Sequence, residues 1–221
     1  MGPLFTDRSE AGALLAERLL HLGLGHPGHG RRDPVVLALP RGGVPVAVPV
    51  VRRVGGTLDV LVARKIGYPP SPELGVGAIC EGGEPVLDQA MLNRLGLTPE
   101  SVAEVVEAER RELERRVRVY RADRRLPSLT GREVVVIDDG LATGGTARAA
   151  LRAVSGAKPG RLTLAVPVAA PETVRALRAE ADEVVVLATP GDFRSVGQWY
   201  GSFDQLSDED VVELLGRDGP G

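Results

Sequence analysis

The sequence contains a single cysteine, Cys80, in 221 residues, so no disulfide can form within the chain. It also lacks an apolar run of the roughly 18–20 residues that a membrane-spanning helix needs. The amino terminus has no basic region followed by an apolar stretch, which argues against a signal peptide. No Gly-x-x-x-x-Gly-Lys-Ser/Thr pattern occurs, which excludes a P-loop nucleotide hydrolase. We therefore expect neither a membrane protein nor a disulfide-stabilised one, and we predict a cytoplasmic location.

Lysine is scarce, because only Lys65 and Lys158 accompany 25 arginines. The net charge of −3 gives no sign of a nucleic-acid surface, and the hydrophobic content of 43% is typical of a globular protein. An ammonium and a guanidinium group are not interchangeable at a phosphate site, so each retained lysine is of interest. Lys158 lies in a predicted loop, where we favour chance retention.

Strand-like and helix-like segments alternate along the chain, which is the pattern of an α/β fold. Apolar runs rich in β-branched residues predict strands at 35–39, 58–63, 133–138, 162–168 and 183–187. Helical spacing predicts helices at 9–22 with Ser9 as a cap, 41–54, 99–125, 145–154 and 171–179, and a short acidic helix after Ser207. This order predicts a central parallel sheet flanked by helices. The Gly- and Pro-rich segment 66–90 is expected to be a mobile loop with some β-structure around 76–80.

The most informative stretch is Val-Val-Val-Ile-Asp-Asp-Gly-Leu-Ala-Thr-Gly-Gly-Thr at 134–146. An apolar strand ends in two adjacent acids, Asp138 and Asp139, and the Thr-Gly-Gly-Thr run begins an Ala-rich helical segment. In a parallel sheet this junction lies at the carboxyl edge, where α/β proteins bind ligands. Carboxylates can hold sugar hydroxyls, and free N–H groups at a helix start can hold a phosphate. The stretch therefore predicts a site for a phosphorylated sugar; the competing interpretation is an ordinary strand–turn–helix junction with Asp139 as a distant cap.

This stretch resembles the phosphoribosyl diphosphate (PRPP) binding motif of the type I phosphoribosyltransferases. From about residue 6 to residue 215, the chain also resembles bacterial phosphoribosyltransferase-domain proteins of undefined substrate. The resemblance implies that Asp138 and Asp139 bind the 2- and 3-hydroxyls of the ribose. Gly140 departs from the family pattern, in which an aliphatic residue is usual, and is expected to loosen the turn. The 5-phosphate would be held by the amides and hydroxyls of the turn that follows, which comprises Ala142, Thr143, Gly144, Gly145 and Thr146.

The resemblance also implies a domain organisation. The whole chain, 1–221, would form one phosphoribosyltransferase-like domain with a core over about 33–190. A small hood would come from about 1–30 and 190–215, and the segment 66–90 would be the flexible catalytic loop. Type I relatives are often dimers, and the long predicted helix at 99–125 offers a surface for pairing with a second copy.

Two segments that follow predicted strands resemble the diphosphate-binding parts of the family. Arg41 and Gly42 follow the first strand, where a guanidinium would meet diphosphate oxygens bidentately and a glycine would permit a strained peptide. Arg64 and Lys65 follow the second strand, in a stretch similar to one in adenine phosphoribosyltransferases. The alternatives are a common Arg-Gly-Gly turn and a pair of exposed bases at a strand end.

The acceptor is the least defined part of the predicted site. Phe193 lies in a stretch distantly similar to one in hypoxanthine-guanine enzymes, which implies that its ring stacks on a base; the alternative is a core aromatic residue under the tail. The 6-oxopurine enzymes carry a lysine at the end of the strand after the motif helix. Here the corresponding segment, 166–170, is Val-Pro-Val-Ala-Ala. Recognition of hypoxanthine or guanine is therefore not expected.

The function implied is that of a pentosyl-transferring glycosyltransferase in nucleotide salvage. PRPP would donate ribose 5-phosphate to a nitrogen nucleophile, such as a nucleobase or related heterocycle, with release of diphosphate. The resemblance implies Mg²⁺ as cofactor, with Asp138 as a metal ligand, and Arg41, Lys65 and Asp138 as the catalytic groups. The alternative is a non-catalytic regulator that binds PRPP, and the acidic charge balance argues against one that binds nucleic acid.

Overall fold

A parallel five-stranded sheet forms the centre of the computed structural model, which describes residues 2–24, 33–122 and 124–218. The strands are β1 (Val35–Ala38), β2 (Thr57–Val60), β6 (Glu133–Ile137), β7 (Arg161–Val168) and β8 (Glu183–Ala188), in the spatial order β2-β1-β6-β7-β8. The predicted central parallel sheet is thus confirmed. The register pairs Ala38 with Ile137, so β1 and β6 end level with each other. Because the strand order reverses between β1 and β6, the loops that follow them leave the sheet side by side, at the point where open α/β sheets bind ligands.

Helices cover both faces of this sheet because its central strands are apolar on both sides. On one face, alternate strand residues such as Val36 and Val135 share a core with α1 (Arg8–His21), α2 (Gly43–Val54), α4 (Ala103–Arg121) and α7 (Asp208–Asp218). On the other face, Leu37 and Val136 share a second core with α5 (Gly145–Gly156) and α6 (Pro171–Leu177). The side chain that caps α1 is Asp7, which accepts from the Glu10 amide, and not the predicted Ser9. Within the described ranges, no helix is both long and apolar enough to cross a bilayer.

The segment expected to be a loop is mainly β-structure. It belongs to an antiparallel sheet of β3 (Ala63–Tyr68), β4 (Ser71–Cys80) and β5 (Val86–Leu87), which is followed by α3 (Gln89–Leu95). The predicted strand at 58–63 was also wrong at its end, because β2 stops at Val60 and Ala63 already begins β3. Glycine and proline in β4 obscured the strand pattern in the sequence. The strand is formed nevertheless, because β4 pairs with β3 through backbone hydrogen bonds. Movement of this sheet during a reaction stays a prediction.

The two ends of the chain meet beyond the carboxyl edge of the parallel sheet. Phe5 forms a parallel bridge with Tyr200, and the amides of Leu4 and Phe5 both donate to the carbonyl of Trp199. Phe5, Trp199 and Tyr200 are buried against Val168 at the end of β7. We call this assembly of residues 2–8 and 190–207 the hood. The part of the predicted hood at 25–30 lies outside the described residues.

Candidate active site

The two acids of the motif directly follow β6, whose last residue is Ile137. The Asp139 amide donates to Asp138 Oδ1 at 2.9 Å, so the turn is closed by the first acid itself. Burial raises the pKa of Asp138 well above its usual range, and the charge of Asp139 adds to this effect. Burial also raises the pKa of Asp139, against the opposing influence of the Arg8 guanidinium. A cation close to the pair would oppose both shifts, because it would favour the ionised carboxylates.

An arginine that the sequence analysis did not single out contacts the second acid. Arg8, the first residue of α1, places its Nε 2.8 Å from Asp139 Oδ2. The Tyr200 hydroxyl donates to the Asp139 carbonyl at 2.5 Å. Asp139 is thus held from both parts of the hood. No local sequence pattern distinguishes Arg8 from the other arginines of the chain, which has 25 in all. Arg8 also lies 131 residues before Asp139.

The predicted phosphate turn has the expected strand–loop–helix form. Gly144 precedes α5 with a φ of 71°, in the left-handed region, and α5 begins at Gly145 without a side-chain cap. The first N–H groups of a helix have no partners within the helix, so those of α5 could donate to a phosphate. Thr173 of α6 supports the turn from outside by donating its hydroxyl to the Ala142 carbonyl.

Gly144→Ala is expected to destabilise the protein by about 1–3 kcal/mol, because an alanine is strained in the left-handed conformation. Its Cβ would also lie 2.6 Å from Thr173 Cγ2. The matched control is Gly156→Ala at the other end of α5, where a Cβ meets no heavy atom within 4 Å. That change is expected to be neutral or slightly stabilising. Urea unfolding of both variants measures the difference, and equal stability of the two would contradict the prediction.

Packing explains why position 140 is a glycine where the family usually has an aliphatic residue. We had expected that this glycine would loosen the turn. Gly140 is buried, and a Cβ there would lie 2.6 Å from Val196 Cγ1 and 3.0 Å from the Val168 carbonyl oxygen. An aliphatic side chain would therefore push the tail away from the end of β7. A glycine at this position lets the hood approach the acidic pair closely.

The loop that follows β1 also contacts the acidic pair. The peptide bond between Pro40 and Arg41 is cis, and Gly43 begins α2. Gly42 has ordinary helical dihedral angles, so conformation does not require a glycine there. The lack of space does require a glycine, because a Cβ on Gly42 would overlap Asp139 Oδ2. The predicted diphosphate loop and the predicted ribose site are thus in direct contact.

Arg41 and Gly42 line a cleft of about 420 Å³ together with residues of the hood. The hood side consists of Arg8 and the tail residues Phe203, Asp204, Gln205 and Leu206. Two guanidinium groups therefore face one cleft beside the acidic pair. Such a cleft suits a ligand that carries several negative charges.

The structure separates Arg64 from Lys65. Arg64 pairs with Glu109 of α4, with 2.7 Å between Nε and Oε2. Successive residues of a strand point to opposite faces, so Lys65 extends from the other face of β3 and is exposed. To bind diphosphate, the Arg64 guanidinium would have to break its ion pair with Glu109 or donate to both groups at once. Diphosphate binding by either side chain stays a prediction.

Two aromatic residues of the tail, Phe193 and Phe203, lie in different surroundings. Phe193 is half-buried and packs on Trp199, with ring centroids 6.3 Å apart. Phe203 lines the cleft and is 37% exposed. In the segment 166–170, which has no lysine, Val166, Val168, Ala169 and Ala170 are buried. Base stacking by Phe193 stays a prediction, and Phe203 is a second candidate that only the fold brings to the cleft.

Comparison with known proteins places this site in a family. A family model described as "Phosphoribosyl transferase domain" matches residues 13–196. A protein of Mycobacterium tuberculosis strain H37Rv, provisionally named a phosphoribosyl transferase, is 44% identical over 214 residues, which are 97% of this chain and 47% of that protein. The chain thus spans about half the length of this relative.

Two solved structures extend the comparison. The crystal structure of TT1426 from Thermus thermophilus is 45% identical, covers 100% of both chains and superposes with a TM-score of 0.80. The AQ2163 protein of Aquifex aeolicus is 17% identical, with 81% of this chain and 73% of that one covered and a TM-score of 0.50, which shows a likeness of fold alone. The motif at 134–146 lies within the matched region and at the switch point of the sheet. This chain belongs to the phosphoribosyl transferase domain family.

Proposed function

We propose that this protein transfers ribose 5-phosphate from PRPP to a nitrogen nucleophile and releases diphosphate. The observation that carries the proposal is the contact between the two loops at the switch point. Asp139 Oδ2 lies so close to Gly42 that a Cβ there would overlap it, while α5 begins after the same β6 loop. The proposed hydroxyl acceptors therefore contact the arginine loop, and the proposed phosphate turn follows the same acids in the chain before α5.

Each group has a distinct role in the proposed reaction. The turn 142–146 binds the 5-phosphate, and the carboxylates of Asp138 and Asp139 accept the ribose hydroxyls. Arg41 neutralises charge that develops on the departing diphosphate, with Lys65 as a further cation on β3. The reaction needs no protein nucleophile, because an oxocarbenium-like ribosyl centre can be attacked directly by the acceptor. Catalysis then comes from positioning and from electrostatic stabilisation of the leaving group.

The residues fit an Mg²⁺ ion bound together with the substrate. Within the described residues, no group of three His, Cys, Asp or Glu side chains forms a metal site of its own. Mg²⁺ is commonly held by one or two carboxylates with substrate oxygens and water, and Asp138 beside Asp139 offers that donor set. The ion would supply charge neutralisation to the diphosphate. Asp138 is the proposed ligand, since Asp139 is already paired with Arg8.

The proposed acceptor is a heterocycle whose recognition does not depend on a lysine at the end of β7. The segment 166–170 has no ammonium or guanidinium group, and most of its side chains are buried. Phe193 or Phe203 would provide an aromatic face for any planar ring. We further propose a cytoplasmic enzyme, with α4 as the pairing surface if the protein forms a homodimer.

The test is a diphosphate-release assay of the purified chain with PRPP and a panel of purines, pyrimidines and other heterocycles, with and without Mg²⁺. We expect release with at least one acceptor, and only when Mg²⁺ is present. Calorimetric titration with PRPP is run in parallel and is expected to show binding that requires Mg²⁺. If PRPP binds but no acceptor in the panel causes diphosphate release, the result would support the PRPP-binding regulator instead. Absence of binding would refute both functions.

A further inference from the structure

Arg8 is held in the cleft by three different kinds of contact. Its Nε pairs with Asp139 Oδ2 at 2.8 Å, and its Nη1 donates to the Asp204 carbonyl at 2.9 Å. Its Cζ lies over the Phe203 ring, 3.8 Å from the ring centre, which is a cation–π contact. Only 12% of the side chain is exposed. An arginine at a helix start near the chain terminus would ordinarily extend into water, and here it is fixed in the interior of the site.

The position of Arg8 relates it to the diphosphate loop. The same oxygen, Asp139 Oδ2, contacts Arg8 Nε and would be overlapped by a Cβ on Gly42. Arg8 and Arg41 both line the cleft. An arginine has five N–H donors, and the contacts to Asp139 and Asp204 that the described residues provide leave its Nη2 group available to a ligand.

We propose that Arg8 is a second arginine ligand of the diphosphate group, delivered to the cleft by α1; this inference rests on the proposed function. Before substrate binds, Asp139 and the Phe203 ring hold the guanidinium in place. When the ribose hydroxyls reach Asp139, Arg8 turns its free donors to the diphosphate oxygens. A guanidinium suits this role better than an ammonium because its planar fork can bind two phosphate oxygens at once.

The charge balance supports this assignment. The diphosphate brings several negative charges next to the acidic pair, so a guanidinium in addition to Arg41, Lys65 and Mg²⁺ would lower the electrostatic cost of binding. Arg8 and Arg41 are the cations among the described residues that line the cleft, and the one acid in that lining, Asp204, accepts a hydrogen bond from Ser202. Since Arg8 also contacts Asp204 of the tail, substrate binding would be coupled to the packing of both chain ends that form the hood.

The test compares two sugars that differ in the diphosphate alone. Wild type, Arg8→Met, Arg8→Lys and the control Arg53→Met are titrated with PRPP and with ribose 5-phosphate in the presence of Mg²⁺. Arg53 pairs with Glu17 on the surface, and its side chain is 61% exposed. We expect Arg8→Met to weaken PRPP binding by about 10- to 100-fold and to change ribose 5-phosphate binding by less than about 3-fold. Arg8→Lys is expected to recover part of the loss, and Arg53→Met to resemble wild type.

The comparison of two ligands within one variant separates ligand binding from folding. An equal loss for both sugars would overturn the proposal, because Arg8 would then be only a counter-charge that shapes Asp139. Unchanged or tighter PRPP binding by Arg8→Met would also overturn it, and the latter would mark Arg8 as a blocking group. If wild type binds PRPP, these outcomes refute the role of Arg8 alone. If wild type binds no PRPP, the proposed function fails first.

Discussion

Asp138→Asn is expected to lower the affinity for PRPP in the presence of Mg²⁺ by about 100-fold, since it removes charge-assisted hydrogen bonds worth roughly 1.5–3 kcal/mol each. Asparagine has the same shape but no charge, and half of its head group is a donor. It would therefore hold the ribose hydroxyls poorly and would lose the proposed metal ligand. Isothermal titration calorimetry with PRPP and Mg²⁺ measures the change directly.

The same variant is expected to be at least as stable as wild type. Burial and the charge of Asp139 raise the pKa of Asp138, so its ionised form costs folding free energy at neutral pH. Asparagine removes that cost. Asp139→Asn should differ, because it leaves the buried guanidinium of Arg8 without its carboxylate partner. We expect it to lose PRPP binding and also to unfold at a lower temperature.

A control for loss of one negative charge is Glu107→Gln, on the exposed surface of α4, where the glutamate side chain is 59% exposed. It should change neither PRPP binding nor thermal unfolding by a measurable amount. Full PRPP affinity in both aspartate variants would remove the acidic pair from the site. A fall in the melting temperature of Asp138→Asn would contradict the view that this acid is kept at a cost to stability.

Arg121→Met is expected to have the largest effect on stability, a loss of roughly 3–5 kcal/mol, because it leaves buried carboxylates without a counter-charge. Arg121 is the last residue of α4 and is 4% exposed. Its Nε lies 3.2 Å from Asp59 Oδ1 in β2, and its Nη2 lies 2.7 Å from Glu81 Oε2 after β4. The same Nη2 donates to the Val60 carbonyl at 2.9 Å. This cluster ties the parallel sheet, the antiparallel sheet and α4 together.

Urea unfolding of Arg121→Met is best compared with that of Arg152→Met. Arg152 pairs with Glu180 at 2.7 Å but is 53% exposed, so its replacement is expected to cost less than about 1 kcal/mol. Adding Asp59→Asn and Glu81→Gln to Arg121→Met should restore part of the lost stability, since the buried charges are then removed together. Equal costs for the two arginine variants, or no recovery in the triple variant, would contradict this account.

The sequence predicted those parts of the protein whose residues are neighbours in the chain. The strand, the acidic pair and the phosphate turn lie within 134–146, and alternation of apolar strands with helices was sufficient for the parallel sheet. The antiparallel sheet was mistaken for a loop because β4 depends on pairing with β3 and carries glycines at positions such as Gly75 and Gly77. Hydrogen bonds to a neighbouring strand override a weak local preference.

Composition and local pattern alone determined the fold class, the apolar centre of the sheet and the position of two acids and a helix start after β6, because such features follow from the period of side chains along one element. Tertiary structure alone decided which distant side chains complete the site. Arg8 reaches Asp139 across 131 residues of sequence, and Phe203 lines the cleft while Phe193 packs on Trp199. No local spacing encodes such contacts, since they depend on how both chain ends pack on the carboxyl edge of a sheet built from the middle of the chain.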